Sequence, residues 1–222
     1  MAWWAMACLS AVMIVPLLLS PIEAHANPND RSEAGFALRP VLIYLAGYFL
    51  FGAGYIAYMT FMIAYVRDFG GGAVAQGAFW SLIGVSACLT PWLWRGVLAR
   101  NRGGSSTAII LGVNAVGAAL PLFGHSALLL GCSAITFGAA FFAVVGSTTA
   151  FVRFNVPVSA WPAGIAAMTI AFGLGQTLGP LLVGAVTDRL GSLSVALNVS
   201  AALLAAGAVA TAFQPRLMKD EA

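Results

Sequence analysis

Charge is scarce in this sequence. Asp, Glu, Lys and Arg make up 8% of it, against about 25% in a soluble domain, while 61% of residues are hydrophobic and the mean hydropathy is +0.94. The composition excludes a soluble globular domain and implies an integral membrane protein. Cysteine is nearly as scarce. Cys8, Cys88 and Cys132 fall in three separate apolar segments with no CxxC spacing, which reads as small core residues and argues against metal, redox and disulfide roles. His25 and His125 lie in loops without spaced His, Cys or carboxylate companions, so neither a metal site nor an intramembrane protease is assembled. No Gly-rich loop precedes a lysine in the Walker pattern, which leaves primary ATP-driven pumping without an engine. The formal charge of +3 comes with no basic run or basic–aromatic module, so nucleic acid is not a partner. No cofactor is implied.

What is present is a series of apolar runs. Interruptions by charge, Gly and Pro divide the chain into about seven spans: A, Trp3 to Ser20; B, Val41 to Val66; C, Ala75 to Trp94; D, Ser106 to Phe123; E, Ser126 to Phe151; F, Trp161 to Val186; and G, Ser192 to Phe213. Charged side chains fall between the spans or at their ends, so no span holds an Asp, Glu or His at depth. A proton relay would need one there, so ion coupling must come from elsewhere. The expected architecture is all-α. A spanning helix at 1–20 precedes a polar linker at 21–40 holding Pro28, Asn29, Asp30 and Glu33; a six-helix bundle at 41–214 and a short tail at 215–222 follow.

Ala24-His25-Ala26 resembles a signal-peptidase site after span A. Charge opposes that reading. With span A retained and its N-terminus outside, Arg31, Arg39, Arg95, Arg100, Arg102, Arg153, Arg216 and Lys219 lie inside, leaving Arg67 and Arg189 outside. Cleavage with the new terminus outside would invert this distribution. The expected placement is therefore multi-pass in the inner membrane with linker and tail cytoplasmic.

Span F is uncharged from Trp161 to Val186 and long enough to cross with tilt. Gly175 and Gly179 form a GxxxG seam for close backbone approach, and Pro180 frees the carbonyl of Gln176, which places a polar amide at an expected bend. Span B carries every tyrosine of the chain, Tyr44, Tyr48, Tyr55, Tyr58 and Tyr65, with Phe51 and Met62 filling the gaps. Alternating steps of four and three put the series on one helical face. A hydroxyl in hydrocarbon needs a partner, so the stripe either packs inside the bundle or, at Tyr55 and Tyr58, lines a pathway. Gly52 and Gly54 beside them suggest a locally soft helix. Span C carries Trp80 and leaves through Trp92 and Trp94 to Arg95, as an aromatic belt with a cytoplasmic anchor would. Asn114 in span D reads as interhelical glue.

These residues resemble the C-terminal half of a major facilitator superfamily permease. AFGLGQTLGPLLVGAVTDRLGS, Ala171 to Ser192, resembles that superfamily's eleventh helix and exit loop. GYFLFGAGYIAYMTFMIAYVRD, Gly47 to Asp68, is similar to the seventh helix of a bacterial efflux-type subfamily of unassigned substrate. PWLWRGVLARNRGG, Pro91 to Gly104, resembles the basic loop between helices eight and nine. Gly184, Asp188, Arg189 and Gly191 reproduce the start of the GxxxDRxG loop motif, here after the eleventh helix and so on the outer side.

The resemblance implies a secondary transporter, or half of one, moving a small, amphipathic solute by alternating access. Spans B, C, E and F would wall its cavity with Tyr55, Tyr58, Trp80, Phe141, Thr169, Phe172 and Gln176, while Gly52, Gly54, Gly175, Gly179 and Pro180 would serve packing and bending. The superfamily builds its site between two six-helix bundles, whereas this sequence offers one bundle and a preceding helix. The implied partners are lipid, the solute, and a missing N-terminal half or a second copy. The competing expectation is a non-transporting remnant or structural subunit. An enzyme is not expected, since no acid, base, nucleophile or metal set is assembled.

Overall fold

The computed structural model describes residues 36–100 and 103–218, with scattered positions from Trp4 to Val15. The chain divides into two compact units, Met1–Glu33 and Ala34–Ala222. In the first, the described positions are helical and exposed. Most of the helix expected at 1–20 and the linker expected at 21–40 lie outside the described residues.

The second unit is helical throughout its described length, apart from turns. Its helices are α1 (Leu42–Asp68), α2 (Ala73–Cys88), α3 (Thr90–Arg100), α4 (Ser105–Ala119), α5 (Ala127–Asn155), α6 (Trp161–Leu190) and α7 (Leu193–Ala212). Five of these, with their short 3-10 extensions, are long and apolar enough to cross a membrane. The pair α2 and α3, bent by 45° at Leu89, adds a sixth if the two helices cross together as one broken span. This is a polytopic all-α membrane protein.

The straight span expected from Ala75 to Trp94 is thus broken. Pro91 stands just inside α3, where it lacks the N–H needed to continue the ladder of α2. The bend is pinned from α5: Thr90 Oγ1 and Trp94 Nε1 both donate to the Ala139 carbonyl, at 3.1 and 2.7 Å. Trp94 therefore turns inward, and Trp92, 67% exposed, is left as the outward-facing ring of the pair.

α1 is the axis of the unit and has two unlike faces. One is stripped of side chains. A Cβ at Gly179 would stand 2.5 Å from the Ala53 carbonyl, one at Gly52 would stand 2.6 Å from the Phe172 carbonyl, and one at Gly175 would strike the carbonyl of Phe49. α6 can approach α1 this closely only because glycine occupies both sides of the seam. The expected softness at Gly52 and Gly54 gives way to contact, since α1 is unbroken and Gly54 receives Leu204 of α7. α6 likewise continues through Pro180 to Gly191, whose left-handed φ of 68° ends the helix. The last glycine of GxxxDRxG is therefore a helix terminator here.

Helix direction alternates, so the ends sort. Gln214, after α7, accepts from the Tyr44 N–H at 3.2 Å and donates to the Pro40 carbonyl at 3.0 Å, tying the end of α7 to the start of α1. Asn155 at the end of α5 accepts from the Leu217 N–H at 2.7 Å. At the opposite end, Tyr65 donates to the Pro121 carbonyl at 2.8 Å and His125 packs edge-on to Phe69.

Replacing Gly179 by Val should cost about 3 kcal/mol through overpacking against Ala53. Gly84→Ala, where an added Cβ meets nothing within 4 Å, should stabilise α2 by roughly 0.5–1 kcal/mol. Reversible unfolding in mixed detergent–lipid micelles measures both.

Candidate functional site

The second face of α1 is the tyrosine stripe, and it points at α5. Tyr44 stacks on Phe151 at 4.0 Å between ring centroids, and Tyr58 on Phe137 at 4.2 Å. Tyr55 meets Phe141 at 4.9 Å. Five of the seven stripe positions, Tyr44, Phe51, Tyr58, Met62 and Tyr65, are at most 1% exposed. Stacked rings, each a large apolar surface, thus fill the interval between the two helices.

The hydroxyls of Tyr44, Tyr58 and Tyr65 are matched inside the protein, as hydrocarbon demands. Ser133 donates its one proton to the Gly117 carbonyl at 2.7 Å, so the Tyr58 hydroxyl, 2.5 Å from Ser133 Oγ, must be the donor of that pair. Nearer the Gln214 end, Ser147 donates to the Val144 carbonyl and Thr107 donates to Ser147. Thr148 also spends its proton on the Val144 carbonyl. The Tyr44 proton is left to be shared between Thr107, at 2.6 Å, and Thr148, at 3.2 Å. Asn114 ties α4 to α5 by donating to the Phe137 carbonyl at 3.0 Å, as glue between helices would.

One part of the stripe reaches an edge. Tyr48 and Tyr55 both stack on Phe172 of α6, at 5.1 and 5.5 Å, the second pair almost parallel at 2°. Phe141, Phe172 and Gln176 are half-buried, and the Gln176 amide donates to the Tyr55 hydroxyl. Next to this cluster, a crevice of about 180 Å³ runs between α5 and α6, lined by Tyr48, Val145, Thr148, Thr149, Val152, Ile165, Met168 and Thr169. Its polar groups are hydroxyls, and no charged side chain lines it.

Of the residues expected to line a cavity, the structure brings Tyr55, Phe141, Phe172 and Gln176 together. Thr169 lies in the adjoining crevice, its hydroxyl bonded to the Ile165 carbonyl. Tyr58 is sealed in the core instead, with no exposed surface. Trp80 is on the outer face of α2, 37% exposed, and Phe79 is the residue of that helix facing Tyr58. One residue turns a helix by about 100°, enough to exchange the two rings. Tyr48 and Thr148 line the crevice but were not singled out from the sequence, although Tyr48 lies in the stripe and Thr148 follows Phe137 and Phe141 at helical spacing.

A family profile described as "Uncharacterised MFS-type transporter YbfB" matches residues 1–212. The chain belongs to this MFS-type transporter family. Membership carries a transporter role and makes the protein a multi-pass membrane transporter rather than an enzyme. No curated protein and no solved structure matches this MFS-type transporter.

Removing the Tyr58 hydroxyl leaves Ser133 still bonded to Gly117, whereas removing the Ser133 hydroxyl strands a buried phenol. Tyr58→Phe should therefore cost about 0.5–1.5 kcal/mol and Ser133→Ala about 1–3 kcal/mol. Unfolding of the two variants side by side tests the order.

Proposed function

We propose that this MFS-type transporter moves a small, uncharged or amphipathic solute by alternating access, with Tyr48, Tyr55, Phe141, Phe172 and Gln176 contributing one wall of the solute site. The observation that carries the reading is the Gln176–Tyr55 pair. It is the place where the buried stripe ends in a half-open polar contact between stacked rings. Aromatic walls with few polar groups suit an apolar body with one or two hydrogen-bonding positions. The opposing wall is a further six-helix half or a second copy of this chain, and the lipid bilayer surrounds both. Glycine seams, which hold α6 to α1 without interdigitating side chains, suit rigid-body rocking of that pair.

Arginine placement supports an inner-membrane orientation with the C-terminus cytoplasmic. Arg39, Arg95, Arg153 and Arg216 belong to the end tied by Gln214, while Arg67 and Arg189 belong to the other. A second reading, a non-transporting subunit, is favoured by one observation. The two carboxylates among the described residues, Asp68 and Asp188, both sit at helix ends, so the described bundle carries no coupling acid at depth.

The test is flux of a panel of labelled amphipathic solutes in proteoliposomes. For any solute that is moved, Gln176→Leu should lower flux roughly three- to tenfold, the worth of one lost hydrogen bond, while insertion stays intact. Equal flux would remove Gln176 from the site. No flux for any solute from a correctly inserted chain would favour the subunit reading.

A further inference from the structure

A second cavity, of about 390 Å³, opens at the Gln214 end of the unit and shares no lining residue with the crevice. Phe36, Val41, Val156, Ala160 and Leu217 supply most of its apolar wall. Its volume is within the range of small-ligand sites, about 300–1,000 Å³.

The walls are fixed independently of any occupant. Gln214 holds the Pro40 carbonyl, Asn155 holds the Leu217 N–H, and the Trp161 indole donates to the Val156 carbonyl at 2.9 Å. All three anchored residues, Pro40, Leu217 and Val156, line the cavity. Side-chain bonds thus fix three of the residues that line this apolar space.

Among the described residues, the charged side chains beside the lining residues are all of one sign. Arg39 precedes Pro40, Arg216 precedes Leu217, and the Arg153 guanidinium lies over the Trp161 ring, 5.4 Å from its centroid, next to Ala160. Arg39 and Arg153 are exposed. The carboxylates among the described residues, Asp68 and Asp188, lie at the far ends of α1 and α6. An apolar cavity at helix ends, with guanidinium groups at its rim, has the two-part chemistry of an anionic amphiphile at the membrane surface.

We propose that this cavity is a binding site for an anionic phospholipid, one acyl chain lying along Phe36, Val41 and Leu217 and the headgroup phosphate held by Arg39 and Arg153. A choline headgroup would carry its positive charge to the same guanidinium groups, so the site discriminates against zwitterionic lipid.

The full chain, purified in neutral detergent, is titrated with dioleoylphosphatidylglycerol, dioleoylphosphatidylcholine and inorganic phosphate, with bound molecules counted by native mass spectrometry. Phosphatidylglycerol should bind with one-to-one saturation and phosphatidylcholine at least about tenfold more weakly, while phosphate alone leaves no adduct. Arg39→Gln and Arg153→Gln should each weaken phosphatidylglycerol about fivefold. Arg95→Gln, at the same end but next to no lining residue, should leave it unchanged. Ala37→Trp, at an exposed lining position, should reduce binding of both lipids by filling the cavity. Equal affinity for the two lipids, a loss with Arg95→Gln equal to that with Arg153→Gln, or full binding by Ala37→Trp would each overturn the proposal. Phosphate binding as tight as phosphatidylglycerol would reduce the site to an anion site and overturn the acyl-chain assignment.

Discussion

A phenol placed in hydrocarbon must find its hydrogen-bond partner within the protein, and three of the five phenols on one helix face tie the bundle together through that requirement. Tyr44 draws in Thr107 and Thr148, Tyr58 draws in Ser133, and Tyr65 draws in the Pro121 carbonyl. These partners sit on α4, on α5 and in the turn between them. Satisfying α1 therefore fixes where two further helices stand. On its face toward α6 the packing of α1 is set by absence of side chains at Gly52, Gly175 and Gly179. One helix thus combines a wide, ring-filled interface with a narrow, backbone-on-backbone one.

That asymmetry also marks the edge proposed as the solute wall. Where the stripe is bounded by α5 and α4, it is sealed. Where it turns toward α6, at Tyr48 and Tyr55, the rings of Phe172 and Phe141 cover it only in part, and the polar group that completes Tyr55 is a glutamine amide rather than a backbone carbonyl. An amide side chain can rotate toward a solute and back. A helix carbonyl cannot.

Much of this was legible from the residues. Five of the expected spans, the GxxxG seam and the single-face stripe follow from hydropathy and helical spacing, because both signals are local. What was not legible depends on direction. These helices are apolar all round, so a pattern that separates core from surface in a soluble helix is silent on which side meets protein and which meets lipid. Trp80 and Phe79 could not be told apart for that reason. The break at Leu89 left a trace, Pro91, but the apolar run continued through it. The clasp of Gln214 on Tyr44 and Pro40 left none, since it joins residues more than 170 positions apart along the chain for one of the two bonds and is set by the closure of the bundle.

The same clasp has a bearing on biosynthesis. The opening turn of α1 presents backbone donors with no partner of their own, and the group that satisfies the Tyr44 N–H is translated only after α7. Until then the first helix of the unit has an incomplete end, and Gly104, whose N–H bonds the Gln214 carbonyl at 3.0 Å, waits on the same residue. Ribosomal release of a single glutamine therefore completes two helix starts at once. The earliest-made helix of the unit thus has its first turn completed only by a residue made after all the other helices.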